Sequence, residues 1–222
     1  MRSYGVFDVL GPVMVGPSSS HTAGAARIGY MARGIVGEEI SMVRFCMHGS
    51  FAKTYMGHGT DKALLAGILG LGPEDEDIKN AYFIAKKNNL EYEFCDIDLG
   101  DVHPNSVKLE ITTRLGNKWE VVGCSIGGGK AKIIKIDDID VEFDGEYTTL
   151  ITNHEDCPGV VANVTTILSK YEVNIAFMKL YREQKSQKAL MIIEADENIG
   201  ENVVRKIEKI PHVSMCKVLK AI

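Results

Sequence analysis

The strongest constraint on this chain's fold is the way apolar spacing switches between two periods in its last third. Glu146–Asn153 (EYTTLITN) is a β-prone run. After Pro158-Gly159, the residues Val160, Val161, Val164, Ile167, Leu168 and Tyr171 recur at helical spacing. Val173, Ile175 and Phe177 then alternate as a strand does, and Gln184–Ser186 reads as a turn. Ala189–Ala195 is an apolar strand. Gly200–Ile210 is helical, with Val203, Val204, Ile207 and Ile210 as its inward stripe, and Pro211 stops it. Val213–Leu219 is the last strand. The order βαββαβ predicts two helices on one face of a four-stranded antiparallel sheet, the ferredoxin-like arrangement.

The 222 residues allow one or two domains. Net charge separates them, at −6 over residues 1–146 and +1 over residues 147–222. An acidic stretch, Asp137–Glu146, closes on the turn signal Asp144-Gly145, which places a first domain at 1–145 and a second at 146–222. The first reads as mixed α/β. Helices are expected over Ala25–Ile35, Lys62–Leu71 and Ile78–Asn88, and strands over Met42–Met47 and Tyr92–Ile97. A later antiparallel sheet follows: Val107–Thr113 and Trp119–Ile126 as a hairpin across Gly116-Asn117, then Ile133–Ile136 and Ile139–Phe143. Gly127-Gly128-Gly129 reads as a tight turn.

A formal net charge of −5 without a basic stripe argues against nucleic acid as a partner. No apolar run approaches the ~20 residues that cross a bilayer. Met1-Arg2-Ser3-Tyr4 lacks the basic-then-apolar pattern of a secretory leader, so a cytoplasmic protein is expected. Five cysteines, an odd number with no CxxC pair, predict neither a disulfide framework nor a metal site of the chain's own.

Chemistry concentrates in two places. Gly16-Pro17-Ser18-Ser19-Ser20-His21-Thr22-Ala23-Gly24 precedes a helix of small residues, where hydroxyls and free N–H groups suit a carboxylate. A capping turn needs only one such hydroxyl. Then His48–Asp61 reads as a glycine-rich turn system. It ends in His58-Gly59-Thr60-Asp61, with His58 at a helix start, Thr60 or Asp61 as N-cap, and Asp61 positioned to orient the imidazole. Asp101–Ser106 is a polar turn carrying His103 and Asn105. In the second domain, the turn Asn153–Val160 feeds a helix N-terminus suited to a ligand carboxylate, with Asn153, Asp156 or Asn174 available to an ammonium or amide group.

Two resemblances rest on these residues. Asn153-His154-Glu155-Asp156-Cys157-Pro158-Gly159-Val160, the βαββαβ order and Val173-Asn174-Ile175 resemble an ACT domain over about residues 147–220. That implies small amino-acid binding at Asn153, Asp156, Gly159, Val160 and Asn174, and self-association. Gly16–Gly24, His58–Asp61, His103-Pro104-Asn105 and Ser125–Gly129, followed by an ACT-like tail, resemble the beta subunit of iron–sulfur L-serine dehydratase over essentially the whole chain. In that family the N-terminal domain is related to the allosteric substrate-binding domain of some phosphoglycerate dehydrogenases. The resemblance implies a heterodimeric lyase (L-serine ammonia-lyase) of serine catabolism and gluconeogenesis, taking L-serine to pyruvate and ammonia without pyridoxal phosphate. Its [4Fe–4S] cluster is carried by the partner alpha subunit. His58 is then the first candidate for the base, oriented by Asp61, with His21 second. Ser18, Ser19, Ser20 and Thr22 hold the carboxylate or the loop, and His103 and Asn105 line the cleft. Two other functions fit the same residues: a regulatory subunit that only binds serine, and an amino-acid sensor or scaffold without catalysis.

Overall fold

The computed structural model describes residues 18–182 and 187–222. Gly16-Pro17 and the Gln184–Ser186 turn lie outside the described residues. The described chain forms two compact units that part between Asp137 and Gly145.

Six strands make one sheet in the order β2-β1-β3-β4-β5-β6, the first five of them in the first unit. They are β1 (Ile40–Met47), β2 (Glu91–Asp96), β3 (Ser106–Thr113), β4 (Lys118–Gly127), β5 (Lys130–Ile136) and β6 (Ile139–Phe143). β1 pairs with β2 in parallel and with β3 antiparallel, so the sheet is mixed, and the early strands join the later ones. A parallel pair needs a long crossover. Here the crossover carries α2 (Gly49–His58), α3 (Thr60–Leu69), a 3₁₀ turn (Glu76–Asn80) and α4 (Ala81–Lys87). β4 turns into β5 through Gly128-Gly129, both at positive φ (60° and 78°), as a tight two-residue hairpin turn requires.

The small residues of α1 (Ala23–Val36) allow unusually close packing. A Cβ on Gly29 would stand 2.3 Å from the Leu64 carbonyl oxygen, and one on Gly67 2.2 Å from that of Ala26, so α1 and α3 meet backbone to backbone. Gly123 of β4 makes room for Ile28 in the same way. Ile28, Met31, Ile35, Leu64, Leu65 and Ile68 are thereby fully buried, each contributing about 1.5–3 kcal/mol relative to exposure.

One sequence expectation fails here. His48–Asp61 is not a turn system: Gly49–His58 is a helix, anchored by the fully buried Phe51. Only Gly59 breaks it. At φ 71° that residue ends α2 in the left-handed conformation and also stands at the N-cap of α3. His58 therefore closes one helix rather than opening another, and neither Thr60 nor Asp61 caps α3.

The second unit holds β7 (Thr148–Glu155), α5 (Val160–Lys170), β8 (Ile175–Arg182), β9 (Lys188–Ala195), α6 (Glu201–Ile207) and β10 (Val213–Leu219). Its sheet runs β10-β7-β9-β8, and each neighbouring pair is antiparallel. Leu150, Met191 and Ile193 from the strands bury against Val164, Leu168, Val203 and Ile207 from the helices. This is the expected βαββαβ fold.

Candidate active site

The serines before α1 do not cap it. Thr22 stands at the N-cap with helical angles and no side-chain capping bond, and its hydroxyl donates to the Ser18 carbonyl at 2.9 Å. The backbone N–H groups of Thr22 and Gly24 already donate to the Ser18 and Ser19 carbonyls. The hydroxyls of Ser18 and Ser20 instead reach His21 Nδ1, at 3.1 and 3.2 Å, and lie 3.2 Å from each other. Ser50, on the first turn of α2, meets His21 Nε2 at 3.3 Å. Both ring nitrogens of this buried histidine are thus engaged, and Phe51 packs edge-on against the ring at 5.3 Å. Ser19 is half-buried and contributes no side-chain bond to this cluster among the described residues.

His58 lies beside it, with ring centroids 4.9 Å apart. It is half-buried, and its Nδ1 is shielded from solvent with no hydrogen-bond partner among the described residues. The expected Asp61 contact is absent among the described residues. The Asp61 carboxylate accepts a hydrogen bond from the Tyr82 hydroxyl of α4. Its other oxygen is buried with no partner among the described residues, as is the Thr60 hydroxyl. Burial first, and the carboxylate second, push the Tyr82 hydroxyl above its ordinary pKa, so it stays a donor. Asp61 therefore ties α3 to α4 rather than orienting His58. Tyr82 and Ser50 carry no sequence motif that marks them; only the fold brings them in.

The remaining motifs converge on the same end of the sheet. The Ser50 N–H donates to the Pro104 carbonyl at 2.8 Å, and Gly49 (φ 60°) lies so close that a Cβ there would stand 2.5 Å from that oxygen. The Asn105 N–H donates to His103 Nδ1, and the Asn105 carbonyl accepts from the Ser125 N–H. Ser125 is fully buried against Gly24. The chain Gly24, Ser125, Asn105, Pro104, Ser50, His21 is continuous. His103 is exposed and Asn105 half-buried at its rim.

Desolvation lowers the pKa of His21, and the neighbouring His58 lowers it further. Burial likewise lowers that of His154 in the second unit, against smaller opposing effects of the Thr152 backbone and Asp156. An unfolded histidine titrates near 6.5. Between that value and the lower folded one, the unfolded chain binds more protons, so stability falls as pH falls. The urea midpoint is therefore expected to be lower at pH 5.5 than at pH 7.5. His21→Gln and His154→Gln should each flatten that dependence, and unchanged slopes in both would contradict the assignment.

In the second unit, Asn153, His154, Glu155, Gln187, Lys188 and His212 line a groove of about 520 Å³. His154, absent from the sequence-derived candidates, is buried there with no partner for Nδ1 among the described residues; a polar residue at an inward position of β7 was the available signal. The Asp156 carboxylate pairs with Arg182 at 3.2 Å. Gly159 (φ 96°) stands at the N-cap of α5, and Val160 is buried in the core. Asn174 does not join them within one chain. Thr148 and Ile175 both pair with Ala195, whereas Glu155 pairs with Lys188 at the other end of the sheet. Asn174 precedes Ile175, and its amide donates to Asp196 at 2.7 Å.

A chain with a mixed α/β unit carrying a polar histidine cluster and a βαββαβ unit belongs to a recognisable two-domain class, and sequence comparison narrows it. The family model described as "Serine dehydratase beta chain" matches residues 5–95, and one described as "AHAS small subunit-like ACT domain" matches residues 150–215. The chain is 41% identical over 213 residues to the probable L-serine dehydratase beta chain of Bacillus subtilis (strain 168), covering 96% of each. It is 43% identical to the L-serine dehydratase beta chain of Peptoniphilus asaccharolyticus, over 91% of this chain and 92% of that one. It also matches D-3-phosphoglycerate dehydrogenase of Methanocaldococcus jannaschii, at 30% identity over 68% of this chain and 28% of that protein. The chain belongs to the L-serine dehydratase beta-chain family.

Proposed function

We propose that this chain is the beta subunit of a cytoplasmic, two-subunit L-serine dehydratase and supplies proton chemistry to a site completed by an alpha subunit. The supporting observation is the unequal state of the two adjacent histidines. His21 has both nitrogens engaged and a lowered pKa, which keeps it neutral and fixed. His58, 4.9 Å ring to ring from that fixed neighbour, has a buried Nδ1 with no partner among the described residues. His58 is the group free to take the α-proton of L-serine, a role worth ~10²–10⁴-fold. His21, held by Ser18, Ser20 and Ser50, positions it and shapes the pocket. Ser19, Thr22, His103 and Asn105 form its polar surround, where the substrate carboxylate is received.

Among the described residues, no three His, Cys, Asp or Glu side chains gather as a metal-binding set. The described residues therefore do not fit a [4Fe–4S] cluster, and the cluster is assigned to the alpha subunit. There it would supply the Lewis acid for the departing hydroxyl. No residue here is assigned to pyridoxal phosphate. The second unit serves regulation: an amino acid in the His154 groove, and self-association along β8, whose edge exposes Phe177 and Leu180.

The test is anaerobic pyruvate formation from L-serine by this chain alone, by the alpha subunit alone and by their mixture. Activity only in the mixture is expected. Sedimentation of the same samples should show an oligomer that Leu180→Lys reduces. Full activity in the alpha subunit alone would leave this chain a regulatory role.

A further inference from the structure

Two of the five cysteines form a pair that the proposed reaction does not use. Cys46 of β1 and Cys95 of β2 are direct partners in the parallel register, and their sulfurs lie 3.0 Å apart as free thiols. Neighbouring strands lie about 4.7–4.9 Å apart, inside the Cα separation of about 4.4–6.8 Å that a disulfide accepts. The two side chains already share a face of the sheet, so bonding needs only a small approach of the sulfurs. We propose that Cys46 and Cys95 are a reversible oxidation site, in which a hydroperoxide converts the pair to a disulfide stapling the edge strand β2 to β1.

The surroundings assign the roles. Cys46 is 2% exposed, whereas Cys95, on the edge strand, is half-buried and open to a small oxidant. Arg44 lies on the same face of β1 as Cys46. It is shared with Glu93 at 3.4 Å and Glu110 at 3.5 Å, and Lys108 of β3 lies opposite Cys46 in the register. Burial, together with the bond to Cys95, pushes the Cys46 thiol up to about 12, so it remains protonated. Cys95, the more exposed of the two sulfurs, reacts first. Its sulfur attacks a peroxide oxygen, the O–O bond breaks, and the thiol proton leaves with the departing oxygen as an alcohol (or water) while the sulfur becomes a sulfenic acid. The Cys46 sulfur then displaces hydroxide from Cys95. The S–S bond forms, the S–O bond breaks, and the thiol proton leaves with the hydroxide as water. Two thiols are oxidised by two electrons in all, and one peroxide is reduced.

The pair also adjoins the candidate active site along the chain. One residue past Cys46, the Met47 carbonyl accepts from the Ile97 N–H, and His48 Nδ1 accepts from the Leu99 N–H. α2, with Ser50, starts immediately after. The disulfide would thus hold together the two segments that lead into the site.

The experiment treats the reduced full chain, under native conditions, with hydrogen peroxide. It then blocks remaining thiols with a maleimide and measures intact mass and peptide maps. Two of the five thiols are expected to be lost, with a linked Cys46–Cys95 peptide that a dithiol reductant reopens. In Cys46→Ser, Cys95 should accumulate as a sulfenic acid trapped by a carbon acid such as dimedone. In Cys95→Ser, Cys46 should resist the oxidant. Retention of all five thiols, a different or intermolecular linkage, or sulfinic acid at Cys95 with Cys46 intact would each overturn the proposal.

Discussion

Replacing His58 by alanine should lower the turnover of the reconstituted enzyme by about 10²–10⁴-fold, with little change in the serine concentration for half-saturation. The expectation follows from the inequality of the two imidazoles. Both nitrogens of His21 are engaged by serine hydroxyls, whereas the buried Nδ1 of His58 has no partner among the described residues, so His58 is the imidazole whose nitrogen no neighbouring group holds. His58 is also half-buried at the end of α2, so its truncation should leave the fold intact, which thermal unfolding of the variant checks. His21→Asn should behave differently. It withdraws a buried ring from Ser18, Ser20, Ser50 and Phe51, so both turnover and stability should fall. A His58→Ala enzyme that kept its maximal rate and changed only its cooperativity would transfer the site from catalysis to regulation. A comparable loss of rate in both variants, without loss of stability in His21→Asn, would make the imidazole pair itself the proton acceptor.

The sequence disclosed the fold of the second unit well, because its signals are local. Period-2 and period-3.6 spacing, Pro158-Gly159 and Pro211 together mark each element, and no long-range information is needed to order βαββαβ. The first unit was legible in its elements and less so in its sheet. The parallel pairing of β1 with β2 depends on where a crossover of three helices returns the chain, which no local pattern encodes. The helix Gly49–His58 was hidden by its glycines, whose number suggested loops although only Gly59 terminates anything. At the site, residue identities were visible and their partnerships were not. Ser18 and Ser20 look like helix caps, but a buried histidine three and one residues on, respectively, competes for their hydroxyls and wins. Asp61 looks like an orienting carboxylate for His58. Tyr82, 21 residues later and unmarked by any motif, takes it instead. Asn174 was grouped with Asp156 by resemblance, yet within one chain the sheet register puts them at opposite ends.

The other large effect is expected where packing and chemistry meet, at Gly24 and Ser125. A Cβ on Gly24 would stand 2.1 Å from Ser125 Oγ and 2.8 Å from Ser125 Cβ, separations no pair of bonded-out atoms tolerates. Neither side can yield easily. Gly24 lies in the first turn of α1, whose backbone is held against α3 by Gly29 and Gly67. Ser125 is fully buried in β4, and its N–H donates to Asn105. Gly24→Ala should therefore gain the modest helix propensity of alanine and lose more to overpacking. The net cost is of order 1–3 kcal/mol, or roughly 2–12 °C in Tm for a chain of this size. The strain also falls on the turn that carries His21, three residues earlier, so turnover should drop beyond what the unfolded fraction explains. Ser125→Ala cannot relieve the clash, because its own Cβ lies within 3 Å of the new methyl group. Ser125→Gly can. The double variant Gly24→Ala/Ser125→Gly should recover most of the lost Tm and turnover, giving a favourable coupling energy that Gly24→Ala/Ser125→Ala lacks. Equal behaviour of the two double variants would show that helix α1 and strand β4 do not press on each other there. The placement of His21 would then have to depend on the Ser50 side of the cluster alone.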